Sequence, residues 1–137
     1  MDGGPQATFP KTGIGKPALF LSSDPQYSDE ELEAKGRDPV TWREKAEGFR
    51  RDWQRIFDLR EGTEGYYLLV RGTGHLSFSD APQVMPNTIT RFGGDLTDFE
   101  LATRAILTSV RKFFDVYLKG EGNFDPEDLR EETGVIY

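Results

Sequence analysis

His75 is the only histidine in the chain. It stands in "VRGTGHLSFSD", Val70 to Asp80, directly after an apolar run and a Gly-Thr-Gly turn. An imidazole changes charge near neutral pH, so it can take a proton from a hydroxyl and return it to a leaving group. Such a base works best when a carboxylate holds it in one tautomer and stabilises its cation. Asp2, in the Gly-rich "MDGGPQ", is a carboxylate placed ahead of the first apolar run of the chain. Acid first and histidine later is the second half of the order serine, acid, histidine used by one large class of acyl-transfer triads. The chemistry to which the pair points is nucleophilic acyl transfer. A single histidine after a strand is also a common structural feature, and position alone leaves both readings open.

The elements around these residues follow from hydrophobic spacing. "PALFLSS" (Pro17 to Ser23) and "GYYLLVRG" (Gly65 to Gly72) are apolar runs without polar alternation. That pattern belongs to strands buried on both faces of a parallel sheet. Between them, Ser28 with Glu31 and Thr41 with Glu44 form capping boxes at two helix starts. The Thr41 helix carries Trp42, Ala46, Phe49, Trp53, Ile56 and Phe57 on one apolar face and ends near Gly62 and Gly65. A third box, Thr97 with Glu100, opens a helix with Phe99, Ala102, Ile106, Val110, Phe113 and Tyr117 on one face. It stops at Gly120, a left-handed cap position. A short helix starts at Asp125 with Pro126 in its first turn.

Strand, helices, strand is a βαβ unit, and the fold class is α/β. Ligands of such sheets sit beyond the carboxyl ends of the strands. His75 lies just past the carboxyl end of the second strand, where Gly72 and Gly74 let the backbone turn sharply. Sheets usually have about five or six strands. Two strands therefore predict an incomplete sheet whose open edge can pair with another chain.

Bulk composition narrows the partners. The chain has 137 residues, 36% hydrophobic and 30% charged, which is a globular balance for about one domain. Its formal net charge of -7 argues against nucleic acid or an anionic membrane surface as the main partner. There is no cysteine, which excludes disulfides, zinc-thiolate sites and a cysteine nucleophile, and fits a cytoplasmic location without establishing it. No apolar run approaches the roughly 18 residues of a membrane span. "MDGGPQATFP" has neither the basic nor the apolar region of a signal peptide.

"DGG" near the start, "KPALFLSSD" (Lys16 to Asp24), "GTGHLSFSDAP" (Gly72 to Pro82) and the long helix after it resemble one family. They are similar to the C-terminal part of the platelet-activating factor acetylhydrolase and related α/β-hydrolase esterases. The resemblance implies Asp2 as the triad acid and His75 as the triad base. It places Phe78 and Asp80 beside the acyl site, with Phe78 against the substrate. It implies a carboxylic ester substrate, such as a short acyl ester of a phospholipid, and no cofactor. Residues 1–120 would form the C-terminal part of the hydrolase domain and residues 121–137 an acidic tail with a short helix.

The nucleophile of that family lies in a G-x-S-x-G elbow, and this sequence has none. Ser22, Ser23, Ser77, Ser79 and Ser109 lack the strand, elbow and helix context that exposes a nucleophile. The chain thus reads as the C-terminal portion of a serine esterase, cut just before the acid. The alternative is a non-catalytic hydrolase-like fragment or interaction module. "DPQYSDEELE" (Asp24 to Glu33) is acidic but lacks the spacing and central glycine of a calcium loop, and the capping box accounts for Ser28, Asp29 and Glu31. "RGTG" is too short for a phosphate loop.

Overall fold

The computed structural model describes residues 15–58, 64–85 and 99–137. Along the chain come β1 (Ala18–Asp24), α1 (Asp29–Ala34), α2 (Pro39–Asp58), β2 (Gly65–Arg71), a 3₁₀ turn (His75–Phe78) and α3 (Ala81–Val84). Then follow α4 (Phe99–Phe114), a π turn (Asp115–Lys119) and α5 (Pro126–Thr133). The chain is α/β in class, with one small sheet in which β1 pairs with β2. The Ala18 N–H bonds to the Glu64 carbonyl near the start of both strands, and the Gly72 N–H bonds to the Asp24 carbonyl near their ends. Start meets start and end meets end, so the strands are parallel.

Two compact units divide the chain. One comprises Leu19–Gln26 and Tyr66–Tyr137; the other holds the described residues up to Ala18 together with Tyr27–Gly65. The first unit contains the main core. Leu68 and Val70, two residues apart on β2, share a face and pack with Ala102, Ala105 and Phe113 of α4, Leu129 of α5, Phe124 and Ile136. Leu19 and Leu21 of β1 border the same cluster. On the other face Phe20 stacks on Tyr67, with ring centroids 5.5 Å apart.

Leu68, Leu69 and Val70 are buried in succession, as a strand covered on both faces requires. β1 departs from that expectation, for its residues are half-buried except Asp24. Its physical position explains this: among the described residues it has a strand neighbour only on its β2 side. The far side of β2 is occupied. Ile136 forms an antiparallel bridge with Val70, the Leu69 and Tyr137 backbones exchange bonds of 2.8 and 3.2 Å, and the Arg71 N–H bonds to the Val135 carbonyl. The open edge expected from two strands is therefore not on β2.

α5, expected as a short helix in an acidic tail, is capped and also anchored. The Asp125 carboxylate accepts from the Glu127 N–H, Pro126 follows it, and Gly134 closes the helix at φ 68°. Leu129 nevertheless points fully into the core, because its turn packs against α4. On α4 the deepest row is Ala102, Ala105, Ser109 and Phe113. Small residues at its middle let the helix backbone come close to the 3₁₀ turn. Gly120 ends the helical run in the left-handed region as expected. The Thr97 capping box and the region around Gly62 lie outside the described residues.

The second unit is built from α1 and α2. Ser28 Oγ accepts from the Glu31 N–H, and the Glu31 carboxylate accepts from the Ser28 N–H, which is the expected capping box. α2 starts earlier than its Thr41 box suggested. Pro39 is its first residue, and the Asp38 carboxylate accepts from the Thr41 N–H at 2.7 Å. An aspartate one position before a proline offers a better cap than a threonine already inside the first turn. Of the expected apolar face, Trp53 and Ile56 are buried and Trp42, Ala46 and Phe49 are half-buried. Tyr27 meets Trp42 edge to face, and Arg43 pairs with Asp29 across the two helices.

Candidate functional site at the carboxyl edge of the sheet

β2 delivers the chain to the carboxyl edge of the sheet at Arg71. Gly72 then turns it with φ 72°, a conformation that glycine adopts without steric penalty. Gly74 is not in that region, with φ -114°. Thr73 is fully buried and its hydroxyl donates to the Val70 carbonyl at 2.6 Å. Ser77, also buried, accepts from the Gly74 N–H at 3.0 Å. The Ser77 N–H bonds back to the Gly74 carbonyl, and the Ser79 hydroxyl donates to the Leu76 carbonyl. These bonds bracket His75, whose backbone opens the 3₁₀ turn. The loop is thus held by its own polar side chains, as segments that carry function on a rigid scaffold often are.

Asp24 is the last residue of β1 and belongs to the same edge. Its carbonyl accepts from the Gly72 N–H at 2.9 Å, which joins the end of β1 to the start of the His75 loop. Asp24 is only 6% exposed, and it is the one charged residue among the buried polar residues described. The carboxylate accepts from the Gln26 side-chain amide at 2.6 Å. Three buried polar side chains, Asp24, Thr73 and Ser77, thus gather at one end of two parallel strands, where sheets of this class place their ligands.

Of the residues singled out from the sequence, His75 and Phe78 share this loop, and Phe78 packs against the core cluster. Asp80 is exposed and precedes α3. Asp2 lies outside the described residues. Asp24 stands at the head of the acidic stretch "DPQYSDEELE", and nothing in that stretch by itself marks the residue as buried. The signal available was a carboxylate closing an apolar strand at its carboxyl end.

The serines have structural assignments. Ser28 caps α1, and Ser22 and Ser23 lie within β1. Ser109 is fully buried on α4 and donates to the Ala105 carbonyl at 2.8 Å. None of the described serines sits at a strand-to-helix elbow. No group of His, Asp and Glu suited to a metal ion occurs among the described residues. A depression of about 380 Å³ lies elsewhere, along α4 beside Phe99, Thr103, Leu107 and Arg111. Among the described residues no helix is long and apolar enough to cross a membrane.

The arrangement brings the backbone of the His75 loop and a buried carboxylate, Asp24, to the same end of two parallel strands. No protein-family model matches the chain, and no curated protein and no solved structure matches it either.

Proposed function

We propose that the chain is the acid–base part of a serine-type carboxylic ester hydrolase. His75 is the general base and later the general acid, and a carboxylate orients it. The resemblance supplies Asp2 for that orienting role, and Phe78 for contact with the acyl group. The substrate is a carboxylic ester, with short acyl esters of phospholipids as the class the resemblance favours. The nucleophile is a serine outside these 137 residues, since they contain no G-x-S-x-G.

One observation carries the reading most. The loop bearing His75 follows a parallel strand directly and is pinned by the buried Thr73 and Ser77 side chains.

The test is ester turnover on a p-nitrophenyl ester. The 137-residue chain alone is expected to show none. A parent protein that carries the serine is expected to turn over and to lose that activity by several orders of magnitude on His75→Ala. Unchanged turnover in that variant would sink the assignment of the base. His75-dependent turnover by the isolated chain would sink the account of the missing serine.

A second reading is a non-catalytic, hydrolase-like interaction module. The absent elbow favours it, as does the half-buried β1, which lacks a second strand neighbour among the described residues. Light scattering separates the two: a stable self-associated species at micromolar concentration favours the module.

A further inference from the structure

We infer that the outer face of α4 is an interface on which two copies of this chain pair antiparallel. The inference is independent of how His75 is read.

One face of α4 packs into the core through Ala102, Ala105, Ser109 and Phe113. On the other side Arg104, Leu107, Arg111, Phe114 and Leu118 are all exposed, at intervals of three and four residues. That is the seam spacing of helices that pair lengthwise. Leu107 is 63% exposed, Phe114 47% and Leu118 76%. Large apolar groups aligned on one face mark an interaction surface, whereas scattered ones do not. The π turn carries the helical run on to Leu118 before Gly120 ends it.

The two halves of this face complement each other. The N-terminal half bears the depression of about 380 Å³ beside Leu107 and Arg111. The C-terminal half bears the projecting Phe114 and Leu118. Self-complementarity of this kind is what a two-fold axis requires. Antiparallel pairing sets the projecting half of each copy over the depression of the other. Leu118 then meets Leu107 of the second copy. Phe114 meets Arg111 of the second copy, whose guanidinium can lie on the ring. Arg104 comes opposite the exposed Glu121. Parallel pairing would set Arg104 against Arg104 and Arg111 against Arg111, and like charges so placed repel. Charge therefore selects the antiparallel arrangement. The seam from Arg104 to Leu118 covers about 21 Å of helix. A contact of that length falls short of the roughly 1,200 Å² of stable interfaces, so the dimer is reversible.

Sedimentation velocity of the 137-residue chain over a concentration series tests this. A monomer–dimer equilibrium is expected, with a Kd on the order of 100 μM. At micromolar concentration this dimer is dissociated, so a stable species there, which would favour the module reading, is a separate outcome. Leu107→Asp and Leu118→Asp should each weaken pairing by about tenfold or more. Val84→Asp replaces an equally exposed apolar residue off this face and should change nothing. Circular dichroism checks that the variants fold. The chain has no cysteine, so engineered ones report orientation. Leu107→Cys mixed with Leu118→Cys is expected to form a disulfide under mild oxidation. Leu107→Cys by itself is not. In the antiparallel dimer its two copies lie about 16 Å apart along the axis, and a disulfide joins Cα atoms within about 7 Å. A chain that stays monomeric at millimolar concentration overturns the proposal and leaves the face to a different partner. So does pairing that survives both aspartate variants, which would belong to the β1 edge. A disulfide from Leu107→Cys alone overturns it as well.

Discussion

Ser77 and Thr73 differ from the remaining serines and threonines in what their hydroxyls hold. The Ser77 oxygen accepts from a buried backbone N–H of Gly74. Ser77→Ala would leave that donor unsatisfied, and such orphaned groups cost about 1–3 kcal/mol. The expected result in urea unfolding is a lower midpoint with an unchanged slope. Ser109 offers the contrasting case. Its hydroxyl donates to the Ala105 carbonyl, which lies four residues back on the same helix. Ser109→Ala removes a bond that helices often do without. Stability should change by less than about 1 kcal/mol, and turnover of the parent protein should be unaffected. A loss of turnover would return Ser109 to the candidates for the nucleophile. The place of His75 just after a strand and a glycine turn was legible from the sequence. The burial of Asp24 was not, because burial is a property that neighbours distant in the chain confer.

At the scale of elements, capping governs how the helices respond to pH. The Asp38 carboxyl is held below its ordinary value of 3.8 by hydrogen bonds from the Thr41 hydroxyl and N–H. A group whose pKa falls on folding stabilises the fold above its ordinary pKa, and that contribution is lost as pH drops through the folded value. Asp38→Ala should therefore lower the Tm at pH 7, and the gap to wild type should close in strong acid. Asp38→Asn should keep most of the cap without that pH dependence. Melting curves between pH 7 and pH 2 distinguish the three proteins. Glu132 behaves in the same sense: the hydrogen bond and charge of Lys112, 2.6 Å away, hold its carboxyl below the ordinary 4.5, and Arg111 and Arg104 add to this. That pair links α4 to α5 but is solvent-exposed, so its contribution is small and screened by salt. Helix existence and the Ser28 and Asp125 caps could be read from local spacing. The true start of α2 could not, because Asp38 and the Thr41 box compete for the same turn and backbone geometry selects between them.

For the molecule as a whole, the segment Val135–Tyr137 matters more than its composition suggests. It runs antiparallel to β2, and Ile136 is 1% exposed within the main core. The Arg71 guanidinium lies 4.8 Å from the centre of the Tyr137 ring. Ile136→Ala removes buried methyl groups at a site flanked by Val70 and Leu69, which can collapse little. A loss of about 2–5 kcal/mol is expected, read from chemical unfolding monitored by circular dichroism. A change below about 0.5 kcal/mol, within the usual range of surface substitutions, would mean that this segment does not hold the sheet. Nothing in "ETGVIY" alone announces a strand. Three residues are too few for a periodic signal, and their pairing depends on α5 turning them back toward β2.

The α/β class, the two apolar runs that form β1 and β2, the long amphipathic α4 with its glycine stop, and the placing of one histidine just after a strand can all be read from the order of residues. These rest on local physics: side-chain period, capping chemistry and the conformational freedom of glycine. That β2 is paired on both sides, that Ala105 and Ser109 lie on the buried face of α4, and that a buried carboxylate stands at the same sheet edge as the His75 loop emerge only in the folded chain. Each of these arises between residues far apart in the chain. Burial and strand pairing are fixed when segments meet, and no local spacing records them in advance.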